Sequence, residues 1–264
     1  VPTTVIEAKW RASFPAPVDE RLLLDGEGRV WLWSLRPEGA ARAHRAGTYA
    51  ALVPGDLVER AVAAFDAAAT ATGHDSGRGG RCSAWRDDRL VRVAPGSELE
   101  AALTALRAAA DGGPVAVVSV GWQPLGTLRS GAAATLFFVL QAEGTEPVTL
   151  AVDAGSFTLV ASRGGAPWAP LWSPPPGAAL EVVTPMGEIL GTEIRPAVIP
   201  PGTQASVPFP DALDPGPPGT IEVSARVDGR IALAGPVPGR LGPPAPTDAF
   251  SIASAPVALA VLEG

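Results

Sequence analysis

A chain of 264 residues with 47% hydrophobic and 18% charged side chains has the make-up of a globular protein, because disordered chains combine low hydrophobicity with high net charge. A formal net charge of -7 and a pI near 4.9 argue against nucleic-acid partners, whose affinity comes from clustered Lys and Arg displacing counterions. The single cysteine, Cys82, excludes an internal disulfide, and the lack of asparagine excludes N-linked glycosylation.

In chain order, residues 1–14 carry Glu7, Lys9 and Arg11 and lack the apolar core of a signal peptide. No run approaches the roughly 18 apolar residues of a membrane helix. A soluble protein of the reducing cytoplasm is expected, or a secreted one if Val1 is a processed terminus. Lys9 is the sole lysine, and the abundance of Ala, Gly, Pro and Arg reads as the bias of a GC-rich genome.

Residues 21–24 and 29–35 flank Asp25-Gly26-Glu27-Gly28, whose glycines suit a hairpin with a short loop. Trp31 and Trp33 fall on alternate positions of the second strand, so they share a face and are expected to pack under a helix. Another strand is expected at 47–52. Pro54-Gly55-Asp56 then announces a helix from Leu57, with Asp56 as cap and Glu59 completing a capping box. Leu57, Ala61, Phe65 and Ala68 line one face, and Gly73 ends the helix.

A strand at 89–93 follows Arg86-Asp87-Asp88. Ser97 and Glu100 make a second capping box, with Leu99, Leu103, Leu106 and Ala110 on one stripe. Asp111-Gly112-Gly113 stops this helix, with glycine taking the left-handed conformation. Strands alternating with helices in this way predict an α+β domain over residues 1–113, an antiparallel sheet carrying two helices.

Only six of the 29 prolines precede Gly112. Proline cannot donate to a ladder or a helix, so the remainder should hold short strands and many turns. Strands are expected at 115–120, 134–141, 148–152, 157–162, 180–183, 205–209, 220–227 and 256–262. Ile221, Val223, Ala225 and Val227 alternate with Glu222, Ser224 and Arg226, the period of a strand with one wet face. The expectation for residues 114–264 is an all-β, proline-rich antiparallel sandwich of immunoglobulin-like or related topology.

The residues offer little chemistry. His74-Asp75-Ser76 are consecutive, whereas a nucleophilic triad is assembled in space, and their Gly- and Arg-rich loop reads as a connection. Two scattered histidines and Cys82 are too few ligands for a zinc site, so neither a metal nor a cofactor is expected. Asp25-Gly26-Glu27-Gly28 lacks both the acidic spacing of a calcium loop and the third glycine of a dinucleotide loop. Asp87-Asp88 read as ion-paired turn residues and Cys82 as a buried or incidental thiol. No catalytic residue is assigned. The candidate binding residues are Trp168, Leu171 and Trp172, held in a segment with five prolines between Pro167 and Pro176, and Gly26 and Glu27 at the hairpin loop. Tryptophans in a proline-stiffened segment present apolar area at little ordering cost, and the alternative is that Trp168 and Trp172 fold inward to cover an open end of the sandwich.

Residues 20–110 resemble emfourin-like inhibitors of thermolysin-type metalloproteases. The resemblance rests on the hairpin Leu22-Leu23-Leu24-Asp25-Gly26-Glu27-Gly28-Arg29-Val30, then Gly47-Thr48-Tyr49-Ala50-Ala51-Leu52, the helix from Leu57, Trp85-Arg86-Asp87-Asp88-Arg89 and the final helix. It implies a compact inhibitor module that obstructs a protease cleft, with no individual inhibitory residue carried over. The function expected is a non-enzymatic protein-binding module, a protease inhibitor or regulator, and the alternative is a structural or assembly component. The partner is expected to be a protein, with no nucleic acid and no membrane.

Overall fold

The computed structural model describes residues 4–12, 18–36, 44–71, 82–167, 169–174, 182–183, 189–190, 197–237 and 245–264. Among the described residues the fold is dominated by antiparallel strands, with two α-helices. The chain divides into two compact units. The first comprises Val1–Glu38, Gly47–Val115 and Ala234–Gly242, the second Gly39–Ala46, Ala116–Leu233 and Pro243–Gly264.

The first unit contains β1 (Thr4–Ala12), β2 (Val18–Asp25), β3 (Arg29–Arg36), β4 (Arg45–Leu52) from Gly47 onward, α1 (Gly55–Ala71), β5 (Cys82–Arg86), β6 (Arg89–Arg92) and α2 (Glu98–Asp111). Its strands pair in the order β4-β3-β2-β1-β5-β6. The sequence reading has no counterpart for β1 or β5. Register places Trp10, Glu20 and Ser34 in one cross-strand row and Ala8, Leu22 and Leu32 in the next. All six are buried. The helices cover this face, because Arg107 of α2 forms an ion pair with Glu20 and stands 5.5 Å over the Trp10 ring. Leu99, Leu103, Leu106 and Ala110 of α2 are all buried, as the helical spacing predicts.

Trp31 and Trp33 lie on the opposite face, which corrects the expectation that a helix covers them. Their rings stack at 6.4 Å with 9° between planes. The cover is the chain from Ala234: Trp33 Nε1 donates to the Ala234 carbonyl (2.9 Å), and the Ala234 N–H donates to Thr48 Oγ1 (3.0 Å). A Cβ added to Gly235 would sit 2.4 Å from the Trp31 ring, so glycine is needed for the chain to pass.

The helix ends differ from expectation in two places. α1 begins at Gly55, with Leu57 N–H and Val58 N–H donating to the Pro54 carbonyl, so Asp56 lies inside the first turn. At the end of α2, Gly112 stays right-handed (φ -73°). Gly113 is required for a different reason: its carbonyl accepts from Ala50 N–H at 2.7 Å, and a Cβ there would fall 2.0 Å from the Ala50 oxygen. The start of α2 follows the sequence. Ser97 Oγ accepts from Glu100 N–H (3.2 Å), while Glu100 Oε2 accepts from Gly96 N–H (2.6 Å). Ser97→Ala is expected to lower stability by about 1 kcal/mol, read as a shifted urea midpoint at unchanged m-value.

The second unit carries β7 (Pro114–Pro124), β8 (Ala134–Gly144), β9 (Val148–Ala151), β10 (Phe157–Ser162), β11 (Ala169–Trp172), β12 (Val182–Val183), β13 (Ile189–Leu190), β14 (Ala197–Ile199), β15 (Gln204–Leu213), β16 (Gly219–Ile231), β17 (Asp248–Ala253) and β18 (Val257–Val261). One array runs β13-β12-β15-β8-β7, the other β11-β10-β16-β9-β14, with β17 and β18 also paired to β16. Phe138 of β8 and Phe209 of β15 meet Phe157 of β10 and Trp172 of β11, at centroid distances from 4.8 to 6.0 Å. These rings fill the space between the two arrays. The alternation of β16 holds except at Ser224, which is buried and donates from Oγ to the Ser254 carbonyl (2.7 Å). A buried hydroxyl needs such a partner. Arg45 pairs with Glu143 at 2.9 Å, and the His44 carbonyl accepts from Val120 N–H.

Candidate binding site

Two exposed features of the first unit stand out. The hairpin turn between β2 and β3 leaves Gly26 and Glu27 exposed at its tip. The Asp25 carboxylate, itself buried, accepts from Glu27 N–H (3.0 Å) and Arg29 N–H (2.9 Å) through Oδ1, and Gly28 closes the loop at φ 75°. A short aspartate side chain fixing its own turn in this way leaves the tip little conformational freedom.

The second feature is a groove of about 530 Å³ between α1 and α2. Its origin is compositional. Both helices send their large side chains, Phe65 on α1 and Leu99, Leu103 and Leu106 on α2, to buried positions. The positions left to line the space between the helices include Ala63, Ala67, Ala101 and Ala105. Methyl groups cannot fill a helix–helix interface of ordinary spacing, so a concavity remains. Arg60 and Glu98 supply the charge in its lining. The sequence expectations have no counterpart for this groove. The alanines were legible as helix formers, but the gap depends on which way each faces.

The other candidate residues fall as follows. Trp172 stands 4.8 Å from Phe209 and 6.0 Å from Phe138, within the aromatic core. Leu171 is half-buried beside it. Trp168 lies outside the described residues, as do His74, Asp75 and Ser76.

Asp87 and Asp88 both have positive φ, 48° and 62°, as a two-residue type I′ hairpin turn requires. Arg86 Nε pairs with Asp87 at 3.6 Å, as expected of an ion-paired turn, and Arg86 and Arg89 also reach a second acid. Both donate to Asp66 of α1 at 2.6 Å, and these hydrogen bonds, Arg89 first, hold the exposed Asp66 carboxyl below its ordinary value of 3.8. The stabilisation this pairing gives is present above pH 3.8 and is lost as the pH falls through the lowered value. Cys82 is buried, and burial, with Glu100 adding to it, pushes the thiol up to about 12. Iodoacetamide at neutral pH is therefore expected to leave the folded protein unmodified and to add one adduct in urea, as read by mass spectrometry. Among the described residues, no group of three His, Cys, Asp or Glu is placed to hold a metal ion, and no helix is long and apolar enough to cross a membrane.

No family model and no curated protein matches the chain. Two solved structures resemble it at a distance. One is AvmM, which catalyses macrocyclisation in alchivemycin A biosynthesis (14% identity, TM-score 0.22, covering 56% of this chain and 89% of that one). The other is the thioester domain of the Enterococcus faecium TIE86 protein (12% identity, TM-score 0.20, covering 100% and 99%). Likenesses this slight carry no argument about fold or activity.

Proposed function

We propose that the chain is a non-enzymatic protein-binding module that receives an apolar segment of a protein partner in the groove between α1 and α2. The groove carries this reading: it is concave, open and lined mainly by alanine. Small-molecule sites fix their ligands with several convergent polar groups, whereas this lining offers Arg60 and Glu98 alone. Bulky side chains of a partner would find the missing volume there.

Protease inhibition is the form we favour. The Gly26–Glu27 tip, held by Asp25, suits a loop that occludes a cleft, because a loop already in its bound shape loses less entropy on association. The same reading takes residues 1–113 as an α+β domain and 114–264 as a sandwich of immunoglobulin-like or related topology, with residues 39–46 and the return at Ala234 exchanged between them.

The test is residual activity of thermolysin-type and serine proteases with the full chain at micromolar concentration. Inhibition that disappears in Glu27→Lys supports the loop, and inhibition that disappears in Ala101→Trp, which fills the groove, supports the helical surface. Full protease activity throughout removes the inhibitor form. The binding module itself falls if a partner captured by the wild type is captured equally well by Ala101→Trp.

A further inference from the structure

The last strand of the chain makes an offer of a different kind, through its backbone. β18 pairs with β16 from Gly219↔Val261 to Val223↔Val257. Just before it, Ser254 N–H donates to the Ala225 carbonyl (2.7 Å) and Ala225 N–H donates to Ser254 Oγ (2.9 Å). The peptide groups of Ala225 therefore point toward the C-terminal strand. Alternate residues of an antiparallel strand point the same way, so Val223, Ile221 and Gly219 do too, and they bind Val257, Leu259 and Val261.

The N–H and C=O groups of Ala258, Ala260 and Leu262 must then point outward. Leu262 verifies the direction. Its N–H donates to the Leu128 carbonyl (3.0 Å), its carbonyl accepts from Ser130 N–H (2.9 Å), and the pairing stops at a single parallel bridge with Arg129. Among the described residues, no backbone partner takes the outward groups of Ala258 and Ala260.

Open edges are normally guarded by charge, proline or a bulge. From Val257 to Leu262 there is no charged residue and no proline, and Val257 and Leu262 are each 44% exposed. Pro256 and the Ser254 contacts interrupt the strand only before this stretch.

We propose that β18 is a dimerisation strand, pairing antiparallel with β18 of a second copy about a two-fold axis at Leu259. The symmetry follows from the spacing. Ala258 and Ala260 lie one residue to either side of Leu259, so Ala258 of each copy faces Ala260 of the other and each pair exchanges both hydrogen bonds. Leu259 then meets its own equivalent and Val257 meets Val261. The strand is uncharged, so self-pairing meets no like-charge repulsion across the ladder, and a charged peptide would find no counter-charge on it. One short strand buries less than a standard interface of about 1,600 Å², which makes the dimer weak and concentration-dependent.

Sedimentation equilibrium of the full chain from about 1 μM to about 1 mM tests this. A monomer–dimer equilibrium is expected, abolished by Ala260→Pro, which removes an outward N–H while sparing the β16 ladder. Ala258→Lys is the second variant, placing a charge on the edge without altering its backbone, and is expected to shift the equilibrium at least tenfold toward monomer. A wild type that is monomeric at every concentration overturns the proposal. So does a dimer that persists in a folded Ala258→Lys, or one that Ala101→Trp dissolves while both β18 variants leave it intact. The groove reading is judged separately, by partner capture in Ala101→Trp.

Discussion

Replacing Arg107 with methionine is expected to destabilise the first unit by about 3–5 kcal/mol, among the largest effects of any single substitution in the chain. Glu20 is fully buried, accepts from Ser34 Oγ at 2.8 Å and is ion-paired by the Arg107 guanidinium, which also lies over Trp10. Methionine keeps much of the aliphatic bulk but withdraws the charge, so a carboxylate out of reach of water loses a cation paired with it. The pair itself is not the source of the stability, because bringing both ions out of water offsets most of their attraction. The double variant Glu20→Leu/Arg107→Met should therefore recover most of the loss. Urea unfolding of the single and double variants measures this, and a single variant within about 0.5 kcal/mol of wild type would sink the account.

Phe138→Ala is expected to have a comparable effect on the second unit, about 3–5 kcal/mol. Phe138 is fully buried and makes edge contacts with Phe157 at 5.1 Å and Phe209 at 5.6 Å, with Trp172 at 6.0 Å. Truncation removes the ring that touches all three and leaves a cavity between two strand arrays whose backbones are held by their ladders and cannot close over it. Phe138→Leu retains part of the volume and is expected to cost less. Intrinsic fluorescence during unfolding gives a second readout, since the Trp172 ring loses a neighbour.

Much of the local structure was legible because it obeys a period or a cap. β10 spans the residues expected of it, Phe157–Ser162, and the Ser97 cap sets the start of α2. β1 and β5 have no counterpart among the strands expected from sequence. Along β1, Ile6, Ala8 and Trp10 alternate with Glu7, Lys9 and Arg11, so the period of this strand is legible in the sequence. Cys82, Ala84 and Val91 are buried yet are too few and too small to make a run.

The contacts that place the site were less accessible. Glu20 sits in step with Val18, Leu22 and Leu24, so its burial could have been read from the alternation, but its pairing with Arg107 depends on where a helix far along the chain comes to rest. Trp31 and Trp33 share a face, as their alternate strand positions predict. Which face the helices choose is decided by Trp10, Leu22 and Leu32, and the tryptophans are left to residues some 200 positions away, the separation of Trp33 from Ala234 being 201. The groove between the helices is a matter of helix rotation, which a small amphipathic difference between alanine and its neighbours leaves poorly marked in the sequence.

That distant cover has a consequence for how the protein is made. A ribosome delivers the β-strands carrying Trp31, Trp33 and Thr48 early, but Ala234 and Gly235, which seat against them, arrive only when most of the chain has been synthesised. Until then two stacked indoles face solvent on a nearly finished sheet, so the nascent N-terminal half is a natural client for a chaperone, and a polypeptide halted before Ala234 keeps that need permanently.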